Sequence, residues 1–344
     1  MAKRIFIGIL IVFAIVVVLF AAFVYQVKHS EGVAFLNQVR YKQGEHKGAA
    51  FCRECHPVIY EQWKNKSRHA VALSAESVQA VIHNLKEHTI LNYMLGGEDM
   101  CYACHGPKAA NEGINCETCH GPAMPDTDIM ISHEKVFKPN KAALQQDDFC
   151  ASCHEIPGWV TPYGDWQKTD LGAQDITCQS CHMVSTNGGR AYHGFNTFVI
   201  DQTIYENDIS LENIRLEYPA LTLTIENHIT AHGVPAGGPT RILALEISFT
   251  DARGKVIHED GETFAKFHRV MPVLGFWPYE IIEDTQLKTS EKRRLSFTLP
   301  AELQGEIKAV QLVLRFYEVA DEYEGDLDRA YFVSQPILEK RMQL

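Results

Sequence analysis

The sequence has no excess of basic residues, and this limits the partners that it can bind. Lysine and arginine together number 32 against 43 aspartates and glutamates, and the formal net charge is −11 at pH 7. Proteins that bind nucleic acid neutralise its phosphates with lysine and arginine, so we expect no nucleic-acid partner. An acidic surface suits a basic protein partner, because complementary charge speeds encounter, or it serves solubility alone.

Cysteine is absent outside residues 52–181, and within that stretch none is left unpaired. The 10 cysteines form five Cys-x-x-Cys pairs, and a histidine directly follows each pair. The five units are Cys52/Cys55/His56, Cys101/Cys104/His105, Cys116/Cys119/His120, Cys150/Cys153/His154 and Cys178/Cys181/His182. Cys-x-x-Cys-His is the attachment motif of haem c, in which both thiols bond to the porphyrin. The adjacent histidine binds the iron as its proximal ligand.

Two other kinds of site also use paired cysteines. Disulfide scaffolds contain an even number of them, and zinc sites are built from Cys-x-x-Cys half-sites. A structural zinc site combines two such half-sites, however, and this chain has five of them. Neither alternative requires a histidine after each pair. The sequence therefore predicts five covalently bound haem c groups, each with its iron.

Long hydrophobic runs are also scarce, and the one present is at residues 5–24. At about 1.5 Å per residue it is long enough to span the roughly 30 Å hydrocarbon core of a bilayer. Lys3 and Arg4 precede it, which predicts a cytoplasmic N-terminus. We expect a single-pass anchor in the cytoplasmic (inner) membrane, with the bulk of the chain on the periplasmic, extracytoplasmic side. A cleaved signal peptide is the alternative, although its apolar region is usually about 7–15 residues long.

The sequence pattern changes near residue 200. Before that point, the motifs leave too little chain for an ordinary hydrophobic core, so we expect short helices and loops around the haems, with a longer helix at residues 76–94. After it, apolar and polar residues alternate, as at 221–225 and 243–249, which is typical of antiparallel strands. No nucleophile motif or phosphate-binding loop occurs there. We predict an α+β protein with four parts: a transmembrane anchor (1–27), a tether (28–50), a mostly helical and loop pentahaem cytochrome c domain (51–199) and a β-sandwich domain (200–344).

The sixth coordination position of each iron distinguishes an electron carrier from an enzyme. A second axial histidine leaves no place for a substrate, whereas an open position marks a catalytic or gas-binding haem. The chain has 16 histidines, so enough remain beyond the proximal ones for five bis-histidine haems. Methionine is also possible and would raise the reduction potential. The methionines near the motifs are Met94, Met100, Met130 and Met183.

Five stretches of the chain resemble the multihaem c-type cytochromes related to the hydroxylamine-oxidation cytochromes. Together they cover roughly residues 50–245. They are CRECHP at 52–57 with Trp63 and SRHA at 67–70; CYACHGP at 101–107 with GINCETCHGP at 113–122 and His133; FCASCHE at 149–155 with Trp166; CQSCHM at 178–183 with His193; and Asn227 with AHGVPAG at 231–237.

The resemblance implies that four histidines are distal ligands: His69, His133, His193 and His232. At the last of these the family usually has Gly-His-x-x-Pro-Thr-Gly, whereas this chain has Ala231 and Ala236. His228 therefore remains a rival to His232. If His232 is the ligand, the C-terminal domain reaches over and covers one haem.

The fifth distal ligand is less clearly indicated. His83 and His88 both fall on the helix predicted at 76–94. Helical spacing puts His88 nearer the face formed by Val78, Val81 and Leu85, which we expect to meet the haems. His88 is therefore preferred over His83, and otherwise one haem is five-coordinate.

These features favour an electron carrier over an enzyme. Haems attached so densely must lie close together, and we expect them to carry electrons between a membrane quinol-oxidising complex and soluble or extracellular cytochromes. A third, overlapping hypothesis is a structural subunit of a larger respiratory or extracellular conduit complex, with the β-domain as its docking surface. The alternative is a multihaem oxidoreductase that acts on a small nitrogen or sulfur compound at one five-coordinate haem. All five motifs are regular, which argues against catalysis without excluding it.

Overall fold

The structure is a computed structural model. It describes residues 15, 17–19, 48–72, 74, 78–79, 104–106, 112–120, 147–155, 162–186, 189–195, 208–238, 241–270, 279–319 and 331–344. The predicted membrane segment at 5–24 and the predicted helix at 76–94 lie almost entirely outside these residues. Within the described ranges, no helix is long and apolar enough to cross a membrane.

Short helices and turns make up most of the described structure up to residue 182. The helices are α1 Ala49–Arg53, α2 Pro57–Lys66, α3 Cys116–His120, α4 Asp147–His154, α5 Pro162–Gln167 and α6 Cys178–His182, with 3₁₀ turns at Arg68–Val71 and Gly172–Gln174. Helices α3, α4 and α6 each contain both cysteines and the histidine of one motif. Residues three and four apart share a helix face, so each helix presents its two thiols and its imidazole on the same side.

Antiparallel strands form most of the described structure after residue 184. A two-stranded ribbon joins β1 Ser185–Thr186 to β2 Arg190–Ala191. The remaining strands are β3 Ile209–Glu217, β4 Ala220–Asn227, β5 Arg241–Thr250, β6 Val256–Val270, β7 Tyr279–Asp284, β8 Lys292–Thr298, β9 Ala309–Val319 and β10 Tyr331–Gln343. Among the described residues they form a five-stranded sheet in the order β10-β9-β5-β6-β7 and a three-stranded sheet in the order β3-β4-β8. We call these two sheets together the two-sheet unit.

The largest hydrophobic core among the described residues contains side chains from both of these sheets. Alternate residues of β4, namely Leu221, Leu223 and Ile225, are buried, as the two-residue repeat of a strand requires. They join Phe249 of β5, Phe316 of β9 and residues of other strands in one cluster. The loop at residues 228–238 follows β4 at one end of this core.

Candidate haem-ligating site

The structure brings three proximal histidines close to three other histidines. The ring centres are 5.9 Å apart for His69 and His154, 6.1 Å for His120 and His193, and 6.2 Å for His182 and His232. Two imidazoles on opposite sides of one metal ion, each with a metal–nitrogen bond of about 2 Å, have ring centres about 6 Å apart. Each pair therefore has the spacing of two axial ligands of a single iron.

The surroundings of these rings fit a large bound group. Burial lowers the pKa of His154 to about 3, with smaller contributions from His69 and Arg241. His154 is nevertheless exposed, so part of its surface is not covered by protein atoms. Nδ1 of His69 is also buried and has no hydrogen-bond partner within the described part of the chain.

Backbone carbonyls determine which ring nitrogen of three histidines can bind a metal. A carbonyl oxygen only accepts hydrogen bonds, so a ring nitrogen that faces one must carry the proton. The other nitrogen, Nε2, then has the lone pair that binds iron. The Nδ1 atoms concerned are those of His105 facing Ala72 O at 2.8 Å, His193 facing Ala191 O at 2.9 Å and His232 facing Gly233 O at 3.0 Å.

His69 is held by contacts on both sides of its backbone. Ser67 caps the 3₁₀ turn, and its Oγ accepts a hydrogen bond of 3.1 Å from His69 N. The carbonyl oxygen of His69 accepts one of 2.8 Å from Ile114 N, and the Ile114 carbonyl accepts one of 2.8 Å from the buried indole of Trp63. The residues just before the third motif thus hold His69, whose ring faces His154 of the fourth motif.

Gly113 lies where the 3₁₀ turn at Arg68–Val71 meets the residues before the third motif, and this position requires a glycine. Its φ is 68°, and a Cβ at this position would overlap the carbonyl oxygen of His69. We expect Gly113→Ala to displace His69 and to raise the fraction of high-spin haem, measured by optical and EPR spectra. Gly254→Ala is the matched control, because Gly254 has φ 76° but no atom within 4 Å of its Cβ position. Equal spectra for the two variants would contradict this prediction.

His193 and Phe195 follow the short ribbon β1–β2. The backbone N–H of His193 donates to Gln62 Oε1 at 3.1 Å, which ties this segment to α2. Phe195 packs edge-on against His69, with ring centres 4.4 Å apart, and also approaches His193 at 6.4 Å. Its φ of 51° is unusual for an aromatic residue. Phe195 thus lies beside both His69 and His193, a position that no motif in the sequence indicates.

The structure distinguishes His232 from His228. His228 is hydrogen-bonded to Ser210 Oγ through Nε2 at 3.0 Å, and its side chain is 38% exposed. His232 is partly buried against His182, and burial lowers its pKa. Its loop is fixed by two backbone hydrogen bonds between Val234 and Leu287, of 2.8 and 3.0 Å. Of the two rivals, His232 is therefore the one that reaches a proximal histidine.

Four of the attachment motifs are neighbours in space. The thiols of Cys52 and Cys116 are neighbours, and each shifts the pKa of the other, upward for Cys52 and downward for Cys116, which joins the first motif to the third. Cys119 lies beside both cysteines of the fourth motif, and burial together with these neighbours raises the pKa of its thiol to about 12. Gln179 Nε2 approaches Cys150 Sγ at 3.7 Å and links the fifth motif to the fourth.

The first motif is arranged differently from the three motifs that lie on single helices. Cys52 belongs to α1, but that helix ends at Arg53, so Cys55 falls in the following turn and is exposed. His56 is half-buried and forms the N-cap of α2, with a non-helical φ of −122°. Its backbone N–H donates a hydrogen bond of 2.9 Å to the carbonyl oxygen of Cys52. This bond keeps the first cysteine and the histidine within one turn, although no single helix contains them.

The structure does not test the predicted haem-binding roles of some motif residues. The three close histidine pairs include neither His56 nor His105, so they assign no distal ligand to the first or second haem. Cys153 is half-buried in α4, and Cys55 is exposed. In the described ranges, no group of three or more His, Cys, Asp or Glu side chains is arranged to hold a single metal ion. The haem-binding roles of Cys55, Cys153 and His56 therefore rest on the sequence motif and stay predictions.

Three other predicted ligands, His88, His83 and His133, lie outside the described residues. Cys101 lies outside them as well, so the described part of the second motif is Cys104 and His105.

Comparisons with known proteins point to the same class of cofactor. A sequence model of the family described as "Cytochrome c554 and c-prime" matches residues 51–121. The multiheme cytochrome MtrA of Shewanella baltica is 27% identical over 134 residues, which is 33% of this chain. The match spans 38% of that relative's own length.

One solved structure has a similar fold over most of the chain. The crystal structure of a penta-heme cytochrome c552 from Thermochromatium tepidum superposes with a TM-score of 0.59, at 19% identity, over 87% of this chain and 99% of that one. The relation to the hydroxylamine-oxidation cytochromes stays a prediction. The chain thus has five attachment motifs, is similar over part of its sequence to multihaem c-type cytochromes, and shares the fold of one of them.

Proposed function

We propose that the chain is an electron carrier that holds five haem c groups and acts on no substrate of its own. The observation that carries this proposal is the set of three histidine pairs with ring centres about 6 Å apart, the spacing of two ligands on one metal ion. Bound haem c supplies reversible one-electron reduction of its iron.

The chain's own residues would hold each haem and close it to substrates. The two cysteines of a motif would hold the porphyrin covalently, and the histidine after them would bind its iron. The paired histidine would bind the same iron, so that no position would be open to a small molecule in either redox state. Contacts among the first, third, fourth and fifth motifs support short electron-transfer steps between neighbouring haems.

We also propose where this carrier works. The apolar run at 5–24, preceded by Lys3 and Arg4, supports a single anchor in the cytoplasmic membrane, with the haems on the extracytoplasmic side. That position suits exchange with a membrane quinol-oxidising complex and with soluble or extracellular cytochromes. The net charge of −11 favours basic surfaces on those partners.

Spectroscopy of the purified full-length protein tests the electron-carrier proposal. We expect low-spin EPR signals from the oxidised protein and no carbon monoxide adduct after reduction, because both axial positions of each iron are occupied. A high-spin signal that responds to nitrite or hydroxylamine would overturn the proposal and support an oxidoreductase of small nitrogen compounds. His83→Ala and His88→Ala, each scored by the number of low-spin haems, test these two candidates, because alanine cannot bind iron and the loss of one low-spin haem marks a ligand.

A further inference from the structure

One cross-strand pair in the two-sheet unit lies next to two segments. One of these segments carries His69, and the other carries His232. Arg241, at the start of β5, and Glu318, near the end of β9, are direct register partners. Side chains alternate along a strand, so these two point to the same side of the sheet as the buried Leu243 and Phe316. We call Arg241 and Glu318 the terminal pair, because they close the end of the core that faces the haem-binding segments.

Glu318 is tied to the segment that carries His69. Its side chain is only 5% exposed, and its carboxylate accepts a hydrogen bond from Nη2 of Arg68, whose side chain is 23% exposed. A carboxylate removed from water is costly unless a cation or hydrogen-bond donors satisfy it. Arg68 directly precedes His69 in the same 3₁₀ turn. The position of Glu318 therefore restrains the backbone that presents His69.

Arg241 is tied to the loop that carries His232. Its Nη1 donates a hydrogen bond of 2.8 Å to the carbonyl oxygen of Ala236. The next residue, Gly237, has φ 108°, and a Cβ there would overlap the Arg241 guanidinium. A glycine leaves the space that this close approach needs. Arg241 therefore restrains the loop at 228–238 in the same way that Glu318 restrains the turn at 68–71.

We infer that the terminal pair is a positioning element, which holds His69 and His232 at ligating distance from the haems of the fourth and fifth motifs. The inference rests on the proposed bis-histidine function. Two segments that are far apart in the sequence are held by two adjacent side chains, so a change in either side chain moves a distal ligand. The two haems are thereby coupled to the same end of the two-sheet unit.

Two conservative substitutions in the full-length protein test this inference. Glu318→Gln keeps the shape of the side chain but removes the ion pair with Arg68, and it should perturb the haem ligated by His69. Arg241→Lys keeps the positive charge but loses the planar fork that reaches Ala236, and it should perturb the haem ligated by His232. The readouts are low-spin EPR signals, carbon monoxide binding and a potentiometric titration. We expect a tenfold or greater change in the reduction equilibrium of the affected haem, which is about 59 mV for one electron.

Glu246→Gln is the matched control. Glu246 lies on the same strand as Arg241 but on the opposite face, and it pairs with Arg315 of β9 at 3.2 Å. The Glu246→Gln substitution should leave every haem signal unchanged. If Glu318→Gln lowers the thermal stability alone, with all haem signals and potentials unchanged, the terminal pair is only structural and the inference fails. Should that variant not accumulate, Arg241→Lys decides by the same criterion. Wild-type protein without low-spin haems would refute the proposed function itself, before any variant is compared.

Discussion

Alanine in place of His232 is expected to convert one haem of this protein from six-coordinate to five-coordinate. The haem bound by Cys178 and Cys181 keeps His182 as its proximal ligand and loses the histidine whose ring centre lies 6.2 Å from it. Reduced His232→Ala protein should then bind about one equivalent of carbon monoxide, because an open axial position accepts a gas ligand. The measurement is a carbon monoxide titration of the reduced protein, followed by its optical difference spectrum.

His228→Ala is the control for this experiment. His228 lies in the same loop, but its ring is hydrogen-bonded to Ser210. It should leave carbon monoxide binding as in the wild type. If the His232 variant binds no carbon monoxide and keeps all its low-spin haems, His232 is not an axial ligand. A gain of carbon monoxide binding in the His228 variant alone would assign the ligand to His228.

Removing the ring of Phe249 is expected to have the largest effect on stability. Phe249 is fully buried in the core formed by both sheets, at the end of β5 opposite Arg241. A Phe→Ala change in a packed core costs about 3–5 kcal/mol of the free energy of unfolding, through lost burial and the cavity that remains. Denaturant unfolding, followed by circular dichroism, measures this loss.

The same variant links the stability of the two-sheet unit to haem ligation. His232 is presented by a loop of that unit, so carbon monoxide binding should begin at the denaturant concentration at which the unit unfolds, and earlier in Phe249→Ala than in the wild type. Val256→Ala removes methyl groups from a side chain that is 44% exposed, and we expect a change within about 0.5 kcal/mol. A stability loss without an earlier onset of carbon monoxide binding would show that the unit does not control this ligand.

The haem attachment sites are a local property of the sequence. Two thiols one helical turn apart and an adjacent histidine lie within five consecutive residues, as in Cys178–His182. Their chemistry is therefore visible before any fold is known. The alternating segments at 221–225 and 243–249 are local patterns of the same kind, and they lie in β4 and β5.

The pairing of the histidines is not local. His69 follows the first motif closely in the sequence, yet its ring lies opposite His154 of the fourth motif and not beside His56 of the first. His193 follows the fifth motif but lies opposite His120 of the third. The family resemblance implies that these histidines are ligands, but it does not tell which iron each one faces. The contacts of Phe195 and Glu318 are not indicated by any sequence motif either.

The sequence by itself predicts the cofactor, the number of attachment sites and the histidine beside each of them, because covalent attachment needs only neighbouring residues. The tertiary structure alone decided which of the predicted distal histidines approaches which motif histidine, and that His232 and not His228 does so. Those choices depend on contacts between distant segments, such as Trp63 with Ile114 and Arg68 with Glu318. Such contacts exist only after packing has brought the segments together.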